Sequence, residues 1–295
     1  MVQAIIHISK EHPRYGYRRI RALLVREGWQ VSRKLVQKVR RAEGLIVQPS
    51  KKKQRRRGQS TGKIPTSADY PNHVWSWDFV SDRTDDGAPL RVLSLIDEFT
   101  RECISLTVAR SLKAEDVLAA LDRAVTERGV PGNIRSDNGP EFISNVTRQY
   151  LQEKGIKTLY IEPGSPWQNP YVESFHNRLR DECLNQEWFL SLAEARVVIE
   201  NWRDKYNRIH PHSNLGFLSP NMIARYWQKL NKESLVPVRL RLPYTRDSYQ
   251  NQLYNPYEHS PARVSFDLVR SLGSGQFRLL LLCGSLISNI GWSMF

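Results

Sequence analysis

Ile134-Arg-Ser-Asp-Asn-Gly-Pro-Glu-Phe142 reads as a short β run that ends on an acid, Asp137, and then turns sharply through Asn-Gly-Pro. Downstream, Pro163-Gly-Ser-Pro-Trp-Gln-Asn-Pro170 is a loop rich in Pro and Gly that leads into a helical run carrying Glu173. Upstream, Val74-Trp-Ser-Trp-Asp-Phe-Val80 has the composition of a core strand but holds Asp78 at its centre. A buried aspartate in such a strand is costly unless it is paired or binds a cation. Asp78, Asp137 and Glu173 are therefore the candidate catalytic and metal-ligating residues. Three acids brought together are oxygen donors suited to two hard divalent ions. Such a pair activates an attacking oxygen and stabilises a leaving one in phosphoryl transfer.

Around these acids the apolar pattern alternates between two periods. Val74 to Val80, Leu90 to Phe99 and Cys103 to Val108 read as strands, with turns at Asp85-Asp86-Gly87 and at Phe99-Thr-Arg-Glu102. Asp82, Asp85 and Asp86 are turn residues in this reading. Ala114 to Arg128 is a helix with Val117, Leu118, Leu121 and Val125 on one stripe. A strand over Asn133 to Asp137, a helix over Glu141 to Lys154 and a strand over Lys157 to Ile161 follow. Helices over Tyr171 to Gln186, Leu192 to Tyr206 and Asn221 to Leu230 complete the pattern. The order βββαβαβα is that of a ribonuclease-H-like α/β core, a mixed five-stranded sheet flanked by helices. Parallel pairing of its first and fourth strands would set Asp78 beside Asp137.

Residues 138 to 172 place 35 positions between the second and third acid. With Asp78 upstream, this resembles the D, D-35-E signature of retroviral integrases and related insertion-sequence transposases. Ser136-Asp-Asn-Gly-Pro-Glu-Phe142, Gln168-Asn169 and Glu173-Ser-Phe-His-Asn-Arg-Leu-Arg-Asp-Glu-Cys-Leu184 sharpen it toward the second-frame protein of two-frame bacterial insertion sequences. The resemblance runs from about His12 to Trp227. It implies metal-dependent cleavage and strand transfer of double-stranded DNA, at element ends and target, with two Mg²⁺ ions that Mn²⁺ replaces. It also implies a homo-oligomer on DNA and a first-frame transposase product as partner. Two rivals carry different predictions: a nuclease that cuts without joining, and a decayed remnant that only binds DNA. Retroviral integrases also carry a His/Cys zinc domain, but His7 and His12 have no cysteine partners here, so the likeness stops at the core.

Charge separates the N-terminus from the rest. Residues 1–63 hold 18 of the 44 Lys/Arg but only 3 of the 30 Asp/Glu, so the net charge of +14 belongs to one end. This points to a polyanion-binding appendage on a nearly neutral body. Tyr17 to Glu27 has helical spacing, Gly28 is a stop, and Ser32 is an N-cap for a second helix from Arg33 to Glu43. The pair reads as a small all-α helix-turn-helix-like module over residues 1–48. Arg33, Lys34, Lys38, Arg40 and Arg41 are its candidate DNA contacts, against the plainer reading of solvated faces. A basic linker, residues 49–68, adds Lys51, Lys52, Lys53, Arg55, Arg56 and Arg57 as phosphate contacts, or serves only as a spacer.

In the core, residues 69–230, Gln168 and Asn169 offer donors to a phosphate or base from a mobile loop. Asn177 and Arg180 share a helical face with Glu173 and Leu184 and complete the candidate DNA surface. The competing reading pairs Arg180 with Asp181 or Glu187. His176 is read as a surface residue. Cys103, Cys183 and Cys283 are scattered and suggest neither a disulfide framework nor a zinc site. No signal peptide opens the chain, which sets a cytoplasmic expectation. Residues 231–295 form an atypical tail ending in 17 uncharged residues, Leu279 to Phe295, at the short limit of a membrane span. The tail is read as an extension and not as a membrane anchor.

Overall fold

The computed structural model describes residues 1–47, 66–162 and 168–233. The linker cations Lys51, Lys52, Lys53, Arg55, Arg56 and Arg57, the loop residues 163–167 and the tail beyond 233 lie outside the described residues.

The first three helices form one small core. They are α1 (Val2–Glu11), α2 (Tyr17–Arg26) and α3 (Arg33–Ala42). Ile5 and Ile8 of α1 close over Ile20, Leu23 and Leu24 of α2 and Val36 and Val39 of α3. No element was expected over α1, yet without it those apolar side chains of the helix pair would face water. Ser32 caps α3, its hydroxyl accepting from the Leu35 N–H at 3.2 Å. Gly28, at φ 87°, ends α2: its N–H reaches the Val25 carbonyl and the Trp29 N–H the Leu24 carbonyl.

The core follows the expected order. Strands β1 (Val74–Arg83), β2 (Pro89–Asp97) and β3 (Cys103–Ala109) precede α4 (Ala114–Arg128) and β4 (Asn133–Ser136). The expected helix over 141–154 is broken at Ser144, whose hydroxyl caps a new start, giving α5 (Pro140–Ile143) and α6 (Asn145–Glu153). Then come β5 (Lys157–Tyr160), α7 (Pro170–Leu179), α8 (Leu192–Arg208) and α9 (Pro220–Glu233). The sheet order is β3-β2-β1-β4-β5, antiparallel among the first three strands and parallel across β1/β4 and β4/β5. This is the mixed five-stranded sheet of a ribonuclease-H-like core.

Successive strand residues face opposite sides. Trp75 and Trp77 pack with Leu93, Leu95 and Ile104 against α4 to α6. Val80, Val92, Ile96 and Val108 pack against α7 and α8. Asp78 and Ser94 fall in the second set by alternation, directly opposite each other in the β1/β2 register. They lie beneath α7.

A single helix over 171–186 was expected, but α7 ends at Leu179 and Arg180–Leu184 is a π turn, with the Asn185 N–H reaching the Arg180 carbonyl at 2.9 Å. The wider turn shifts the angular row that Glu173, Asn177 and Arg180 begin, so Leu184 enters the core instead of sharing their exposed face. The same turn presents Asp181 and Glu182 to the N-terminal module. Arg14 pairs with Asp181, and Arg19 with Glu182 at 3.0 Å. His210 lies 3.2 Å from Glu182 and 3.1 Å from the Tyr15 hydroxyl. Arg26 donates to the carbonyls of Ile209 and Phe217. The expected appendage is docked on the core by charge.

Candidate active site

Each acid is held by a different element. The β1/β4 register pairs Trp75 with Ile134 and Ser76 with Arg135; continued two residues further, it brings Asp137 level with Asp78. Asp78 is set from below, its Oδ1 accepting from the Phe79 N–H at 2.7 Å. Asp137 leaves the end of β4 and accepts from the Gly139 N–H at 3.1 Å.

The residues after Asp137 explain its placement. A Cβ at Gly139 would stand 3.2 Å from Asp137 Oδ1 and 3.2 Å from the Phe142 ring, so a side chain there would push both away. Pro140 opens α5 at its first turn, where its missing N–H costs nothing. Phe142 then stacks under β1, 4.8 Å from Trp77 and 5.0 Å from Phe79 between ring centres. Glu141 pairs with Arg91 at 2.6 Å. Asn138 donates to the Ile161 carbonyl at 3.0 Å, tying the turn to the end of β5.

Glu173 occupies the first turn of α7, where a carboxylate is favoured by the helix dipole. Asp137 and Glu173 both act on Asp78. Burial, with the charges of Asp137 and Glu173 adding to it and the Phe79 hydrogen bond opposing it, pushes the Asp78 carboxyl up to about 7. Among the described residues, no three His, Cys, Asp or Glu side chains are drawn together tightly enough to enclose a metal ion. The donors are nonetheless of one kind, carboxylate oxygens, and the charges acting on Asp78 share its sign. A hard divalent cation fits that donor set.

Residues 68–166 match the integrase core domain model, residues 154–220 match a second integrase core model, and residues 1–54 match an HTH-like domain. The chain is 40% identical over 220 residues to an uncharacterized 31.7 kDa protein of insertion element IS407 from Burkholderia multivorans, covering 75% of this chain and 79% of that protein. It is 38% identical over 233 residues to an uncharacterized 39.2 kDa protein of insertion element IS476 from Xanthomonas euvesicatoria, covering 79% and 67%. The chain belongs to the integrase-core transposases of bacterial insertion elements. Transposase InsF of insertion sequence IS3A from Escherichia coli is 28% identical over 223 residues, covering 72% of this chain and 77% of that protein.

The transposase distributes its candidate DNA contacts unevenly. Arg33, Lys34, Lys38 and Arg41 are exposed along α3, as a phosphate-contacting face requires. Arg40 is not among them. Its side chain turns inward, donating to the carbonyls of Leu45 and Tyr15, and burial lowers its guanidinium pKa. It ties α3 to the α1–α2 turn. Asn169 is also interior: it is 3% exposed as the first residue before α7, and its Oδ1 meets no donor among the described residues. Gln168 Oε1 accepts from the Glu162 N–H at 2.8 Å. Asn177 and Arg180 are exposed near Glu173, and Arg180 donates to the Ser81 carbonyl at 3.3 Å. Among the described residues Arg180 pairs with neither Asp181 nor Glu187; Asp181 pairs with Arg14.

His176 corrects the sequence reading most. Its side chain is 11% exposed, with Nδ1 3.6 Å from Asp78 Oδ2 and Nε2 2.6 Å from Ser94 Oγ. Burial, with Arg180 nearby, lowers its pKa to about 4, so the contact with Asp78 joins a neutral imidazole to a carboxyl and is not an ion pair at neutral pH. Its spacing of three from Glu173 was the available signal. Among the described residues no helix is long and apolar enough to cross a membrane, and Cys103 and Cys183 are free and buried.

Proposed function

We propose that this transposase is a polynucleotidyl transferase that cleaves DNA at element ends and joins the freed ends to target DNA. The observation that supports the reading is that Asp137 and Glu173, from the end of a parallel strand and from a helix, lie near enough to Asp78 for their like charge to raise its proton affinity. The three carboxylates would hold Mg²⁺, or Mn²⁺ in its place, and a bound pair of such ions supplies the positive charge that activates the attacking oxygen and stabilises the leaving one. Asp78 must give up any proton it carries before it ligates, so its raised pKa makes cation binding tighten as pH rises toward 7 and above.

In cleavage, a water oxygen attacks phosphorus and the bond to the 3′-oxygen breaks, leaving a 3′-hydroxyl. In joining, that hydroxyl attacks a target phosphodiester and a strand of the target is displaced. No protein side chain bonds to DNA. The exposed cations of α3, with Asn177 and Arg180 beside the acids, hold the duplex by its phosphates across both steps. The linker cations and Gln168 extend that track. Work on two DNA ends calls for a homo-oligomer, and a first-frame product supplies further end binding. The setting is the cytoplasm, with the DNA.

The test is a labelled duplex carrying the flanking genomic end, incubated with the protein in Mg²⁺, Mn²⁺ or EDTA, with and without the first-frame product. Nicked and joined products that vanish in EDTA support the reading. A folded protein that binds the duplex and gives neither product under any condition supports the DNA-binding remnant instead.

A further inference from the structure

Ser94 lies directly opposite Asp78 across β1 and β2 and is fully buried. Its hydroxyl donates to the Asp78 carbonyl at 3.1 Å, so its single proton is committed to the strand. The 2.6 Å contact with His176 must then run the other way, with imidazole Nε2 donating to Ser94 Oγ. That fixes the tautomer and leaves Nδ1 without a proton, packed against Asp78 Oδ2 at 3.6 Å but not hydrogen-bonded to it. One side chain on α7 therefore touches β2 through Ser94 and β1 through Asp78. It stands one turn from Glu173 on the same helix. The neighbouring Phe175 packs the opposite way, against Trp202 and Tyr206, so the helix is pinned on two sides.

We infer that His176 is a positioning residue: through its hydrogen bond to Ser94, opposite Asp78, it seats α7 on the sheet and so sets Glu173 against Asp78 for cation binding. This rests on the acid-triad reading above. His176 touches no reacting atom in this role. Its effect passes through the placement of the helix that carries Glu173, much as residues that orient metal ligands commonly act.

Two substitutions separate the contacts. Glutamine places its amide nitrogen where Nε2 lies and keeps the Ser94 bond, whereas leucine keeps bulk and loses both contacts. Mn²⁺ binding to the full chain without DNA, followed by calorimetry, reads the effect apart from catalysis. His176→Leu should weaken Mn²⁺ binding about tenfold or more. It should raise the Mn²⁺ concentration for half-maximal cleavage by the same factor, with turnover at saturating Mn²⁺ approaching that of the unmodified protein. His176→Gln should recover most of the loss, and Ser94→Ala should reproduce part of it.

A folded His176→Leu protein with unchanged Mn²⁺ affinity overturns the inference, as does a glutamine variant as weak as leucine. If the leucine variant does not fold, Ser94→Ala decides, and unchanged affinity there overturns it equally. Glu173→Gln runs beside them. Full Mn²⁺ binding by that variant sinks the acid triad itself, whereas loss there with no loss at His176 sinks only the positioning role.

Discussion

Asp78 and Glu182 are both carboxylates drawn out of water, and the chain treats them in opposite ways. Glu182, 6% exposed, meets Arg19 at 3.0 Å and His210 at 3.2 Å, so its charge is matched where the N-terminal module docks. Asp78, 28% exposed, meets a neutral imidazole and the like charges of Asp137 and Glu173. An acid matched by a cation, as Glu182 is by Arg19, holds the fold together; an acid crowded by acids stores unfavourable free energy that a ligand can relieve. Both border one continuous stretch: Asp78 lies against His176 of α7, and Glu182 lies in the π turn that follows it.

The largest expected effect breaks that contrast at the acid site. Asp78→Asn, Asp137→Asn or Glu173→Gln should each abolish metal-dependent cleavage while DNA binding persists, because the α3 cations are untouched. In EDTA at pH 8, Asp78→Asn should also raise unfolding stability, by about 2 kcal/mol once solvent screening is allowed for. Cleavage at the normal rate by any of the three, or a less stable Asp78→Asn, would remove the distinction. At the docking site the sign reverses. Glu182→Ala leaves Arg19 and His210 without their carboxylate and should cost about 3 kcal/mol, read by denaturant unfolding. A cost well under 1 kcal/mol would mean that the pair is solvated in solution.

The two regions should also answer pH in opposite directions. The Asp78 carboxyl is raised from 3.8 to about 7, so the folded state binds its proton more tightly than the unfolded state does. The stability it contributes is present at low pH and lost as pH rises through that window. His212 is lowered from 6.5 to about 3 by burial, and burial also lowers His12 and His210. Unfolding lets these rings protonate, so their stability is present above 6.5 and lost as pH falls below it. Each such histidine adds a slope of at most about 1.4 kcal/mol per pH unit. Denaturant midpoints in EDTA should fall on the acid side, and His212→Gln should flatten that limb. Asp78→Asn should flatten the other. A limb unchanged by its own substitution would assign it elsewhere.

Much of this was legible in the sequence where a local rule governs. The order of strands and helices follows from period and turn chemistry, as at Asn138-Gly-Pro140, and the parallel β1/β4 pairing that levels Asp78 with Asp137 follows from the ribonuclease-H-like order they make. The Ser32 cap and the Gly28 stop are equally local. The errors lie where a distant contact decides. The i→i+5 turn at Arg180–Leu184 has no compositional mark and exists where Asp181 and Glu182 meet the arginines of α2 and its preceding turn. Helix α1 was passed over because its Ile-rich run has no cap and gains its reason only from the faces of α2 and α3. His176 was read outward because helical spacing places residues relative to one another, and the row chosen was that of Asn177.

The smallest effect tests the contrast within a single helix, at adjacent cations. Arg41 is exposed on α3, while Arg40 is 4% exposed and spends its donors on the Leu45 and Tyr15 carbonyls. A phosphate contact releases counterions when DNA binds, so Arg41→Ala should lower the slope of log affinity against log salt by about 0.9 and weaken binding alike on all sequences. Its melting temperature should not move. Arg40→Ala should do the reverse: a stability loss of about 2 kcal/mol from two orphaned carbonyls and lost packing, with the salt slope kept once the protein is folded. The measurement is a salt titration of duplex binding beside a thermal melt for each variant. A slope that drops for Arg40→Ala in folded protein would place its guanidinium on DNA and show that the inward arrangement gives way on binding.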